Sequence, residues 1–319
     1  MNVGRSILSN LGKRLAFGIA VALQMAASQA APADAPVSVA PGVYAWIGGT
    51  EEVAPENAGV IGNSGFIVGD SGTTLINTGS SYAHGKRLIA AAERIGGKPV
   101  LLAIITQPLQ EFVMGGAAFA ERGIPVLAHE ASAQLIRARC DTCLSNLEGI
   151  LGKEFMQGTR VLVPPETITA TQMREVGGRK LLVWHGGWGA TPGDLAVIDV
   201  ATGVAFSGAL VSVRRIPELR DANLAGWREA LTAFEALPIT KLVPGYGPVA
   251  GVKAIAEQRR YFDALERQAT DLLNDGASLL EASERAELPA YADWDFYARA
   301  HPRNLQQTYL RLEAAGIGR

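Results

Sequence analysis

Twice along this chain a set of short strand-like runs precedes helices, and that order limits the folds open to it more than any other feature. In the first block "GVYAWIG", "SGFIVGD" and "TTLINTG" are three such runs separated by glycine-rich turns. A helical pattern follows in "SYAHGKRLIAAAERIGG", with Leu88, Ile89 and Ala92 at helical spacing and a stop at Gly96. Then come an apolar run suited to a buried strand in "KPVLLAIIT", a helix in "GAAFAERG", a strand in "IPVLAHE" and a longer helix from about Ala131 to Leu151. The second block begins with "TRVLVPP", "TITAT", "RKLLVWH" and "DLAVIDVATGVAFSG", all read as strands, the last with a hairpin around Thr202 and Gly203. A helix in "LAGWREALTAFEAL" and a strand in "TKLVPGYG" close it. Two blocks of this kind predict an α+β chain folded as a four-layer αββα sandwich, two mixed sheets face to face with helices outside. A doubly wound parallel sheet fits less well, because it needs regular β-α alternation and no hairpins.

Residues 1–30 read as an export signal: Arg5, Lys13 and Arg14 precede the apolar run "LAFGIAVAL", and "SQA" at Ser28 to Ala30 supplies small residues for cleavage. That run is too short to span a bilayer, so no stable membrane anchor is expected and the mature protein is expected in the periplasm. Residues 37–250 then form the sandwich, and 251–319, almost wholly helical in pattern, pack as an extension of the same domain. Loss of the three basic residues of the signal from the total of 29 leaves 26 against 31 acidic ones, a formal charge of −5. No basic patch invites nucleic acid or anionic lipid. The two cysteines, Cys140 and Cys143 in "ARCDTCLSN", are most simply a local disulfide in an exported protein; a zinc site would need two more soft ligands at a suitable spacing.

Six segments carry a more specific resemblance: "GFIVGDSGTTLINTG", "ITQPLQEFVMGGAAF", "GWGATPGDLAVID", "FSGALV", "RIPELRDANLAGWREAL" and "LVPGYGPV". In order and spacing they are similar to the metallo-β-lactamase fold superfamily, and most to the exported zinc metallohydrolases of quinoprotein gene clusters, the sulfur-oxidation-associated type. The resemblance implies a zinc-dependent hydrolase whose loop after the threonine reads T-H-x-H-x-D-H. Imidazole and carboxylate suit zinc, and three protein ligands leave a place for a water whose pKa falls to near 7.

Carried over position by position, the resemblance puts Gln107 and Leu109 where the first two histidines belong, Glu111 for the aspartate and Phe112 for the third histidine. Ala190 stands for the next histidine, Ala209 for the bridging aspartate and Tyr246 for the last histidine. Asn77 replaces an aspartate that supports the loop. Only Glu111 keeps metal-binding character, and one carboxylate does not hold zinc at useful affinity. Leu109, Phe112 and Tyr246 are bulky enough to fill the vacated space, so a re-packed former site with no metal and no cofactor is expected.

The four histidines, His84, His129, His185 and His301, are scattered and read as surface or satisfied residues. His185 is the one expected to face the cleft, where a makeshift site with Glu111, Asp194 and Gln107 is the alternative. No G-x-S-x-G elbow occurs, Ser64, Ser71 and Ser207 sit in glycine turns, and the adjacent Glu51 and Glu52 point different ways. What remains is binding: His185 and Trp188 in a glycine-rich loop, with Asp194, Tyr246 and Phe112, suit a flat organic ligand or a partner's side chain. The reading is therefore a periplasmic pseudoenzyme, a binding or accessory protein whose partner is a small organic ligand or a periplasmic protein of a quinoprotein (PQQ-dependent) oxidation system. The alternative is a hydrolase with an unconventional metal site or metal-free chemistry.

Overall fold

The structure, a computed structural model, describes residues 35–316; the export signal read at residues 1–30 lies outside them. The first sheet is formed by β1 (Val37–Ala40), β2 (Val43–Trp46), β3 (Ser64–Val68), β4 (Thr73–Ile76), β5 (Val100–Ile104), β6 (Val126–His129) and β7 (Glu166–Ile168), side by side in that order. Pairing is antiparallel from β1 to β4 and parallel from β4 to β7. The parallel half needs crossovers, which α1 (Tyr82–Gly96), the short α2 (Gln110–Val113) and α3 (Gly116–Glu121), and α4 (Glu130–Leu151) supply. Helix α1 starts where Ser81 accepts a hydrogen bond from His84 N (3.2 Å) and stops at Gly97, whose φ of 64° breaks the helix.

The second sheet runs β12-β11-β10-β9-β8, from β8 (Gln172–Val176), β9 (Arg179–Trp184), β10 (Ala196–Asp199), β11 (Val204–Ser212) and β12 (Lys241–Tyr246). Helix α5 (Leu224–Glu235) carries the one parallel crossover, from β11 to β12. The hairpin expected around Thr202 and Gly203 joins β10 to β11. Its turn is pinned by Asp199, which accepts from Thr202 N (3.0 Å) and pairs with Arg179 at 2.7 Å.

Strands buried on both faces give the four layers. Ile67, Ile76, Ile104 and Leu127 of the first sheet meet Leu181, Val183, Val197, Phe206 and Val243 of the second in one inner core. Their neighbours along the strands, Phe66, Leu75, Trp184 and Ile198, point the other way, into the core beneath the helices. Each such buried side chain contributes about 1.5–3 kcal/mol. Gly65 lets the sheets approach: a Cβ there would stand 2.2 Å from the Phe206 ring.

After β12 the chain is helical, with α6 (Lys253–Asn274), α7 (Leu279–Glu284) and α8 (Tyr297–Ala314). Helix α6 is tied to β11 through buried Gln258, which accepts from Ser212 N (2.7 Å) and donates to Leu210 O (2.9 Å). No helix among the described residues is long and apolar enough to cross a membrane.

Three details depart from the sequence expectation. "TRVLVPP" is not a strand, since Pro164 and Pro165 remove ladder donors; Val161, Leu162 and Val163 instead pack as irregular chain against the core, with Leu162 over Gly116. The strand β8 was not expected, because "QMREV" is a charged edge with no apolar stripe. Its signal was the Gly177-Gly178 pair, both at positive φ (58° and 83°), which turns β8 into β9. Finally, Cys140 and Cys143 are free thiols. Both lie inside α4, where Cβ atoms three residues apart are about 5–6 Å from each other, beyond the roughly 3.5–4.5 Å a disulfide requires.

Candidate functional site

The loop leaving β5, the end of β11 and the end of β12 converge on one cleft. Asn77, just after β4, holds the first of these in place. Its φ of 65° is a left-handed conformation that asparagine tolerates. Its Oδ1 accepts from Thr106 N (3.0 Å) and Thr106 Oγ1 (2.8 Å), while its Nδ2 donates to Asn63 O (3.1 Å). The loop from Thr106 to Phe112 therefore starts from a fixed point.

Four of the seven positions that the resemblance assigns to metal ligands, Leu109, Ala190, Ala209 and Tyr246, line a small inner cavity of about 50 Å³. Glu111 and Leu109 line an adjoining outer cavity of about 360 Å³. Gln107 and Phe112 are wholly buried behind them. Two direct contacts cross this region. Gln107 Oε1 accepts from Ala209 N at 2.8 Å, and the Tyr246 hydroxyl donates to Glu111 Oε1. The Phe112 and Tyr246 rings pack at 5.7 Å, and Phe112 also covers Gly62, where a Cβ would stand 2.2 Å from the ring.

Burial pushes the Glu111 carboxyl above the usual carboxylate range, with the Tyr246 hydrogen bond pulling the other way. Burial, together with the Glu111 charge, pushes the Tyr246 phenol well above its ordinary value. Asp194 lies behind the cleft. Its Oδ1 accepts from Thr191 N (3.0 Å) and Thr191 Oγ1 (2.6 Å), and burial raises its pKa to about 7 against these bonds. Gln107 is near enough to favour the charged carboxylate, yet neither Gln107 Nε2 nor Asp194 Oδ2 completes a hydrogen bond.

The histidines take structural places. His185, expected to face the cleft, instead stacks on His129 with ring centroids 4.1 Å apart and donates Nδ1–H to Asp194 O (2.8 Å). The ring thus packs against the end of β6, and His185, Glu111 and Asp194 form no metal-holding cluster among the described residues. Among the described residues no three His, Cys, Asp or Glu side chains come together in a way that holds a metal ion. An amide, a phenol, a phenyl, two methyls and an isobutyl group do not fit zinc either. Trp188 is half exposed, donates Nε1–H to Asp221 O (2.7 Å) and lines neither cavity.

Among the described residues a Ser–His pair does form, at residues that no motif singles out. Ser80 Oγ lies 3.2 Å from His84 Nδ1, but both are buried and line neither cleft cavity. Burial, with Arg87 nearby, lowers the His84 pKa to about 3, which makes it no base at neutral pH. His301 is buried beside the Tyr261 hydroxyl (3.2 Å).

The residue that sequence reasoning missed is Arg215. It is 1% exposed, lines both cavities, and lies between the rings of Tyr246 (4.2 Å from its centroid) and Phe296 (4.4 Å). The available signal was an arginine pair, Arg214 and Arg215, between the apolar runs "VSV" and "IP".

Compared with known proteins, the chain matches no protein-family model and no curated sequence. Solved structures do match. A metallo-β-lactamase from Pontibacter korlensis superposes with a TM-score of 0.60 at 18% identity, over 72% of this chain and 98% of that one. A metallo-β-lactamase from Erythrobacter litoralis, solved with β-mercaptoethanol in its active site, gives 0.56 at 20% identity, over 72% and 96%. The chain has the metallo-β-lactamase fold with a helical C-terminal segment; at such identities the likeness speaks for the fold alone.

Proposed function

We propose that this protein is a metal-free pseudoenzyme on the metallo-β-lactamase fold, which works by binding rather than by hydrolysis. The observation that carries the reading is the pair of direct contacts in the cleft. Gln107 to Ala209 and Tyr246 to Glu111 join positions that the sequence resemblance gives to zinc ligands. Tyr246 and Glu111 satisfy each other side chain to side chain, Gln107 is taken up by the backbone N–H of Ala209, and aromatic and aliphatic groups occupy the space around them. We propose further that the chain is exported to the periplasm and serves a quinoprotein (PQQ-dependent) oxidation system as an accessory or ligand-binding protein. This setting rests on the resemblance to the quinoprotein-cluster metallohydrolases and on the signal-like residues 1–30.

The test is metal retention. Purified protein is incubated with excess zinc, iron or manganese, desalted and measured by mass spectrometry. Well under one equivalent retained is the expected result. One or more equivalents retained would overturn the reading and direct attention to Glu111 and Asp194.

A further inference from the structure

Arg215 is built into the cleft in a way that packing alone does not require. It follows the end of β11, where a bridge to Asp295 fixes the backbone: Ile216 N donates to Asp295 O (3.0 Å) and Asp295 N to Arg214 O (2.8 Å). The side chain turns inward between two aromatic faces, and Nε donates to Thr50 O at 2.8 Å. That is the one hydrogen bond Arg215 makes among the described residues. The nearest carboxylate, Glu218, is 3.8 Å away and half exposed. The terminal nitrogens of a buried guanidinium are thus left for whatever enters the two cavities that Arg215 lines.

The second ring over this guanidinium is held at a cost. Phe296 has a φ of 64°, a left-handed conformation that is an outlier for a bulky residue and costs on the order of one to a few kcal/mol. Strain of this size concentrates at ligand clamps. The surrounding charges fit an anion of low charge. Arg220 and Arg303 stand in the wall of the outer cavity with Arg215, against Glu52, Glu218 and the buried Glu111. Both Arg220 and Arg303 are exposed, and Arg303 makes no ion pair among the described residues. Glu218 beside the guanidinium repels a dianion about twice as strongly as a monoanion, and a single planar carboxylate matches the guanidinium's two-pronged edge. Val53, Ile61, Leu109 and Ile150 supply apolar wall in a cavity of about 360 Å³, the size of a small ligand's site.

Resting on the binding reading given above, we propose that the cleft takes a small organic monocarboxylate, with its carboxylate on Arg215 and its apolar body in the outer cavity. The experiment is calorimetric titration of the purified protein with benzoate, and with benzamide as the neutral analogue of the same shape, on a sample whose zinc retention has been measured. Benzoate is expected to bind one to one, at least about tenfold tighter than benzamide. Arg215→Lys is expected to weaken benzoate by about tenfold or more, since an ammonium lacks the planar fork. If that variant fails to fold, Arg303→Ser and Arg220→Ser, at exposed positions, are expected to weaken benzoate and flatten its salt dependence while leaving the melting temperature unchanged. Equal affinity for benzoate and benzamide, or no binding of either, overturns the proposal. If such a sample is free of zinc, the pseudoenzyme reading survives and the carboxylate alone is lost. Retained zinc with benzoate on Arg215 would do the reverse.

Discussion

The hydroxyl of Tyr246 donates to the carboxyl of Glu111 at the bottom of the cleft, a contact between residues 135 positions apart in the chain. Both groups are buried, so each depends on the other for a partner. A carboxyl that lost this partner would keep only its own backbone N–H and a slight exposure toward the outer cavity.

Tyr246→Phe keeps the ring between Phe112 and Arg215 and removes only the hydroxyl. The expected loss is about 1–3 kcal/mol, the cost of an unsatisfied buried polar group. Adding Glu111→Leu should recover most of it, because both partners are then apolar. Urea unfolding of the three proteins checks this, and an unchanged midpoint for Tyr246→Phe would rule out the contact as a stabilising one.

Glu111 also makes stability fall on the alkaline side. Its folded pKa is raised by burial, so its contribution is complete below the unfolded value of 4.5 and is lost as pH rises through the folded value. Asp194, raised to about 7 from 3.8, acts with the same sign between those two values. Glu111→Gln retains an acceptor for Tyr246 and cannot ionise. Its stability relative to the parent should therefore grow as pH climbs above 4.5, as read from denaturant midpoints over a pH series.

On the acid side the buried histidines act in the opposite sense. Burial lowers His84 to about 3 and His301 to about 4, from 6.5. The stability they give is present above 6.5 and is lost as pH falls toward the folded values, because the unfolded chain takes up the protons first. Protonating His84 would also remove the acceptor that Ser80 N uses at 3.1 Å. A His84→Gln variant, even if less stable at pH 7, should lose less stability between pH 6.5 and 4 than the parent.

Asn77→Asp places the carboxylate of the resembled sequences back at its position, and here it should destabilise. Nδ2 of Asn77 donates to Asn63 O; a carboxylate would set oxygen against oxygen in a buried place, at about 1–3 kcal/mol. Thermal unfolding of the variant tests this, and equal stability would show that the loop tolerates either group.

The two thiols should differ sharply. Cys143 lines the outer cavity and is lowered to about 7 by the Cys140 thiol, against its burial and with help from Arg220. Cys140 is buried and pushed up by Cys143 and by burial. Iodoacetamide at pH 7.5 should label Cys143 in the native protein and Cys140 only after unfolding. Peptide mapping that finds a Cys140–Cys143 disulfide would contradict the helix that separates them.

The sequence by itself determined the order of strands and helices, the hairpin at Thr202 and Gly203, and the four-layer arrangement, because those follow from apolar periodicity and glycine turns within a few residues. It misplaced "TRVLVPP" and passed over β8 for the same reason: a strand's pairing depends on its neighbours, and an edge strand needs no apolar stripe. The motif order also marked which positions would meet in a cleft. What fills that cleft was decided by the tertiary structure. Gln107 meets Ala209 across 102 residues, His185 turns from the cleft to stack on His129, and Arg215 is clamped by Phe296 from the far C-terminal segment. Hydrogen bonds and ring contacts of this kind depend on angles and distances of a few ångströms between chain segments remote in sequence, and no local pattern of residues encodes them.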